Sequence, residues 1–446
     1  MFLMVNHLKQ NYENGGAMKT QVFPAILIIF FLSACNGTFE VGIEHSIASI
    51  EAASATDTPG VVETKVAGTL TAIQTATPVT SPTVTFTTEP ASVLPHDLYY
   101  SAEDSKGKYQ IFRLGRDGKT IAQITFEQTD PTSIDPGLAN LDLRYFDVSP
   151  IGGTIVYCSN NELISVDANG SNRSVLVKDI NSKAIDEPAW SPDGQTIAYH
   201  YNWKDIYLYS ISTGKSALLL TGGDTDAFEP VLFSPDGKKL LIRHAVQSFD
   251  AFNGLTKIYD FSSGSITDIA MWTGAAACDG DLTWISPEAF FCYYHMNNLQ
   301  NSRSGLWRVN ANDGALETLL APSSAYSTTE QIPLVVAPRQ DEAGNLIYLY
   351  GEGYPIIKAG LSQPVSLVHS DADGVTNRVA LRPEKFLVDN AIWTPDGKAI
   401  VIYQAVPAKN LLFVPIDPSL PVVTLPVVTP LSDTFLPDDI TFRWKP

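Results

Sequence analysis

The sequence predicts an all-β fold, a seven-bladed β-propeller of four-stranded antiparallel blades, on three observations. A turn made of an aromatic residue followed by Ser-Pro-Asp-Gly occurs at Trp190 to Gly194 and again at Phe233 to Gly237, and blurred copies of it recur along the chain. A second, polar turn follows most of the copies. Both chain ends contribute strands to one remaining blade.

The N-terminal blade comes first. Leu98-Tyr99-Tyr100, Tyr109-Gln110-Ile111-Phe112 and Thr120-Ile121-Ala122-Gln123-Ile124 read as three strands with no Ser-Pro turn before them. Next come the turns. In Ser191-Pro192-Asp193-Gly194, Pro192 presets φ, Asp193 suits the following position, and Gly194 accepts the left-handed conformation that closes a hairpin. The flanking runs, Pro188 to Trp190 and Ile197 to Tyr199, are short, β-prone and mostly apolar, so each copy opens with two antiparallel strands. Weaker versions stand at Ser149-Pro150, Ser286-Pro287, Ala337-Pro338 and Thr394-Pro395-Asp396-Gly397. The polar turns Asp167 to Gly170, Ser212 to Gly214, Ser262 to Gly264 and Asn312 to Gly314 imply two further strands in their repeats. Spacings of 42, 43, 52, 51 and 57 residues, with Ala337 and Thr394 standing for serine, fit the roughly 40 to 50 residues of a four-stranded blade. Finally, Ile440 to Pro446 reads as the missing first strand of the N-terminal blade, closing the ring and removing two sheet edges. The copies around Ser286 and Ala337 are degenerate enough to leave six or eight blades open.

The series Trp-Ser-Pro-Asp-Gly, Ile-x-Tyr, Ile-Tyr-x-Tyr and Leu-Thr at 190 to 221 resembles the WD-like repeats of TolB-type proteins, which also occur in the propeller domains of prolyl oligopeptidase relatives. The resemblance covers Pro95 to Pro446 and implies a fold, not a reaction. In such propellers the Ser-Pro-Asp-Gly turns lie on one face, and the turns between second and third strands gather with the inter-blade loops on the other, which is the usual binding face.

Ahead of the propeller, 96–446, three segments are expected. Residues 1–17 read as upstream read-through and 18–34 as a signal peptide, in which Lys19 precedes the apolar run Val22 to Leu32. Leu32-Ser33-Ala34-Cys35 resembles the bacterial lipobox, which implies cleavage before Cys35 and its lipidation. Residues 35–95 are rich in Thr, Ser and Pro, with eight threonines among the 22 residues from Thr71 to Ser92, and read as a solvated tether. This chain therefore departs from TolB itself, which is soluble and carries a folded domain before its propeller. The expected location is the cell envelope, lipid-anchored and extracytoplasmic, with palmitate among the acyl groups.

Removing residues 1–35 leaves a net charge of −20, which argues against nucleic acid as a partner and reads either as plain solubility or as an acidic surface that attracts a cationic segment or a metal ion. Besides Cys35 there are Cys158, Cys278 and Cys292; export permits one disulfide, with Cys278–Cys292 the expected pair and buried thiols the alternative.

Candidate binding residues fall into four sets. Acids precede several innermost strands: Glu187, Glu229, Asp281, Asp389 and Asp439, with Arg144 in the analogous place of the second blade. Second strands end in His200, His244 and His295, a set that similar propellers of the oligogalacturonate lyase family parallel with a histidine-rich metal site. Long loops carry the next set: Phe249 and Phe252 within 245–255, Arg303 within 296–305, Tyr326 within 321–331, and the span 371–389. Trp203, just beyond His200, is an exposed-aromatic candidate. No Gly-x-Ser-x-Gly, no His-Glu-x-x-His and no Asp box of the sialidase type occurs. The expected function is a non-catalytic binding module for a protein, a peptide or a glycan, monomeric and without a cofactor. The alternatives are a metal-dependent carbohydrate-active enzyme and a structural envelope protein.

Overall fold

Each Ser-Pro-Asp-Gly stretch closes its hairpin with a local set of hydrogen bonds. The Ser191 hydroxyl donates to Asp193 (2.6 Å) and accepts from the Thr196 amide (2.9 Å), while the Gly194 amide donates to the Ser191 carbonyl (2.9 Å). Ser234 and Thr394 repeat the arrangement with Asp236 and Asp396, at 2.7 Å in both. The hydroxyl residues are buried, so the motif satisfies backbone groups that the blade would otherwise bury unpaired. Gly194, Gly237 and Gly397 sit at φ +66°, +70° and +64°, a region closed to most side chains.

The computed structural model describes residues 92–128, 143, 145–179, 184–223, 225–248, 251–271, 278, 281–294, 305–321, 332–353, 364–404, 409–428 and 441–445, all within the unit Thr88–Pro446; the side chains at 247–254 and 294 fall outside this set. These residues form seven four-stranded antiparallel sheets and no helix, hence none long and apolar enough to cross a membrane. Blade one joins Phe442–Trp444 to Leu98–Glu103, Tyr109–Leu114 and Ile121–Gln123. Blade two runs from Phe146–Val148 to Ser174–Lys178, blade three from Ile185–Trp190 to Lys215–Leu220, and blade four from Asp226–Phe233 to Ser265–Asp268. Blades five, six and seven start at Asp281–Ser286, Ile332–Gln340 and Asn390–Trp393.

Within a blade the second strands are the most deeply covered. All five residues of Ile155–Ser159 are buried, whereas the outermost strand Lys215–Leu220 is largely exposed. The apolar clusters lie mostly between blades: Leu98 and Tyr100 of blade one pack with Val401, Tyr403 and Leu411 of blade seven, and Leu241 and Ile258 of blade four with Phe290 and Trp307 of blade five. No blade covers its own apolar faces, and the ring does so by stacking neighbours.

The ring closes where the chain ends meet. Leu98 pairs with Trp444 and Tyr100 with Phe442. The Trp444 indole donates to the Trp393 carbonyl of blade seven at 2.6 Å, and the Trp393 indole to the Ala337 carbonyl of blade six at 2.6 Å. On the other side, Asp147 of blade two accepts from Arg443 Nε (2.9 Å) and from the Trp190 amide (2.7 Å), tying blades one, two and three together.

Two stretches expected as loops are strands. Lys239–Ser248 and Ala251–Asp260 pair without a break from Lys239 with Asp260 to Ser248 with Ala251, so most of 245–255 extends the hairpin of blade four. Within 371–389, Val379–Phe386 is the outermost strand of blade six, paired from Val365 with Phe386 to His369 with Val379. In both cases ladder hydrogen bonds continue past the span where apolar alternation fades. Cys278 and Cys292 are joined by a disulfide, and Cys158 is buried on Ile155–Ser159.

Candidate functional site

The register of blade three sets the site. Ile185 pairs with Tyr201 and Asp186 with His200, so the start of the innermost strand and the turn after the second strand share one end of the ring, opposite the Ser191 turn. The pairing then slips: a bulge separates Asp186 from Ala189, and Glu187 within it takes φ +48°. Bulges re-aim side chains, and a non-glycine residue at positive φ is strained. Two positions of the turn, Asn202 and Trp203, are also at positive φ, +55° and +61°, and Trp203 is 48% exposed.

His200 is 2% exposed. Its Nδ1 lies 2.8 Å from Asp186 Oδ1, its Nε2 finds no hydrogen-bond partner among the described residues, and its ring meets that of Trp203 edge-on at 6.2 Å. In blade four, Glu229 pairs across the strands with Arg243 and accepts from its Nη1 at 3.2 Å. Between the two blades, one ring nitrogen of His200 and one carboxylate oxygen from each of Glu187 and Glu229 all lie within 4.8 Å of one another.

Charge is crowded here. Burial first, then the nearby Glu229 and Asp186, push the Glu187 carboxyl up to about 8. Burial pulls the His200 imidazole down, but Asp186, with Glu187 and Glu229 behind it, outweighs burial and raises it to about 9. For Arg243, burial opposes the charge while Glu187, Glu229 and Tyr145 favour it, with a net rise.

Of the expected residues, Glu187, Glu229 and His200 come together, with Trp203 alongside. Glu187 and Glu229 lie within their innermost strands rather than ahead of them, because Ile185–Trp190 and Asp226–Phe233 start earlier than the apolar runs do. Asp281 begins Asp281–Ser286 and faces Tyr293 across the register, while Asp389 is buried with its amide on the Tyr403 carbonyl. The expected convergence of histidines does not form between His200 and His244. His244 follows Arg243, so the pleat sends it to the opposite face, where it stacks on Phe228 at 4.6 Å. Burial and Lys257 hold its imidazole below the ordinary range. Cys35, Arg144, Phe249, His295, Arg303, Tyr326 and Asp439 lie outside the described residues, as does the side chain of Phe252.

Asp186, Arg243 and the exposed Tyr145 are missing from the sequence-based set. The 43-residue interval between Ser191 and Ser234 carries the signal for two of them: it places Glu229 at the position of Asp186, and Arg243, not His244, at that of His200.

No family model matches the chain. An oligogalacturonate lyase from Vibrio parahaemolyticus superposes with a TM-score of 0.46 at 10% identity, over 73% of this chain and 84% of that one. A putative TolB from Agrobacterium tumefaciens gives 0.36 at 15% identity, over 74% and 99%, and a prolyl endopeptidase 0.46 at 13%, over 76% and 50%. These are likenesses of fold.

Proposed function

We propose that this chain is a membrane-anchored, extracytoplasmic lipoprotein whose propeller binds a protein or peptide ligand without catalysing a reaction on it. The observation that carries this reading is the exposed Trp203 beside the crowded charge of Glu187, His200 and Glu229 at one end of blade three. Glu187, held at φ +48° within a bulge, sits there beside His200, which is 2% exposed. A glutamate held at positive φ costs on the order of 1–3 kcal/mol, and such strain gathers at ligand clamps. An exposed tryptophan beside partly desolvated charge has the composition of a binding hot spot. The carboxylates and the chain's net charge of −19 favour ligands bearing Lys or Arg. Anchoring rests on Leu32-Ser33-Ala34-Cys35 and the Thr-rich segment that follows.

A photo-crosslinking residue placed at Trp203 in the full-length protein tests the reading in cells, with Leu218 on the outermost strand of blade three as the control. Discrete adducts from position 203 and none from 218 are expected. Adducts from neither position, or equally from both, contradict the reading.

A further inference from the structure

The geometry points to a site for one divalent first-row transition-metal ion, of the zinc or manganese type, between blades three and four, held by His200 Nε2 and one oxygen from each of Glu187 and Glu229. This goes beyond the peptide reading and does not depend on it.

The first observation is the orphaned nitrogen. Burying a polar atom without a partner is unfavourable, and His200 Nε2 is such an atom on a residue 2% exposed. With Nδ1 engaged by Asp186 at 2.8 Å, Nε2 is the nitrogen left for the donor set that Glu187 and Glu229 complete within 4.8 Å. A carboxylate on Nδ1 is also what orients a metal-binding imidazole: it keeps the proton on Nδ1 and the lone pair on Nε2.

Size and charge agree. Three donors each about 2.1 Å from a common tetrahedral ion stand about 3.4 Å from one another, so donors that lie within 4.8 Å close on an ion with movements of under about 1 Å each. Both glutamates are only partly buried and can make that adjustment. With Glu187 ionised, three carboxylates against Arg243 leave two negative charges, which a divalent ion cancels. Arg243 holds Oε2 of Glu229 and leaves Oε1 to bind. One imidazole with two carboxylates suits zinc or manganese better than a soft, thiolate-seeking ion, and three protein donors leave at least one position for water or a ligand oxygen.

The test uses full-length protein in detergent, stripped with chelator, dialysed and titrated with Zn(II) or Mn(II) alone by calorimetry, with bound metal counted by elemental analysis. One ion per chain is expected. His200→Gln and Glu229→Gln should each weaken binding by about tenfold or more, Asp186→Asn by about 10- to 100-fold, and His244→Ala should leave it unchanged. Should His200→Gln fail to fold, Glu187→Gln, at a partly exposed position, tests the same donor set. Absence of saturable binding by the wild type overturns the site, and so does affinity unaltered in Glu187→Gln and Glu229→Gln. Metal binding lost while position 203 still crosslinks retires the ion alone; the reverse retires the peptide ligand alone.

Discussion

Asp186 and Glu229 stand 43 residues apart and hold the same place in adjacent blades, the first 2.8 Å from His200 Nδ1 and the second 3.2 Å from Arg243 Nη1. The repeat thus supplies one scaffold position twice and fills it with two different acid–base pairs. The blade-four pair forms an ion pair between charged partners, whereas the blade-three pair leaves an imidazole nitrogen unused. Glu187, displaced by the bulge, completes the cluster.

Strain at Glu187 has a measurable signature. Glycine accepts φ +48° without penalty and removes a carboxyl that burial and its neighbours disfavour when ionised. Glu187→Gly should therefore stabilise the fold by about 1 kcal/mol in urea unfolding at pH 8 while weakening ligand or metal binding. Destabilisation would mean that the glutamate serves the fold.

Ser234→Ala tests the repeated turn. Ser234 is fully buried; its hydroxyl donates to Asp236 (2.7 Å) and accepts from the Lys239 amide (2.9 Å), so its loss should cost about 1–3 kcal/mol. The same hydroxyl is the main reason the Asp236 carboxyl titrates below its ordinary value. A folded-state value below the unfolded one stabilises above the unfolded pKa of 3.8 and loses that contribution as pH falls through the folded value. The gap between wild type and Ser234→Ala should be widest above pH 4 and shrink below it, as denaturant curves at several pH values will show.

The fold was largely legible because its signals are local. Ser191-Pro192-Asp193-Gly194 makes its turn with its own hydroxyl, carboxylate and glycine, and the pairing of Leu98 with Trp444 follows from counting strands. The site was legible only in parts. Glu187, Glu229 and His200 stood out singly, but their meeting depends on a bulge and on two blades lying side by side, neither of which leaves a pattern within one strand. The choice of His244 failed on pleat parity: counting 43 residues from His200 arrives at Arg243, and the next residue faces the other way. The extension of Lys239–Ser248 was hidden because its polar tail resembles a loop.

Asp147 carries much of the ring closure. Its two carboxylate oxygens serve Arg443 of blade one (2.9 Å) and the Trp190 amide of blade three (2.7 Å), so Asp147→Ala breaks two charge-assisted hydrogen bonds at once. A loss of about 2–4 kcal/mol is expected, together with faster amide exchange in both Phe442–Trp444 and Leu98–Glu103. Unaltered exchange at those strands would count against closure through Asp147.

Anchoring has its own check. Cys35→Ala should abolish incorporation of labelled palmitate and release the protein from the membrane fraction, leaving the propeller folded. Palmitate incorporation that persists in the variant contradicts lipidation at Cys35.

The most direct measurement of the central claim, that the Glu187–His200–Glu229 cluster is a ligand site and not a packing by-product, is an anomalous-difference map at the zinc edge from crystals of chelator-treated protein soaked in Zn(II). The account predicts a peak about 2 Å from His200 Nε2, flanked by the two carboxylates, which disappears in Glu187→Gln. A map with no density there, or with peaks only elsewhere on the acidic surface, contradicts it.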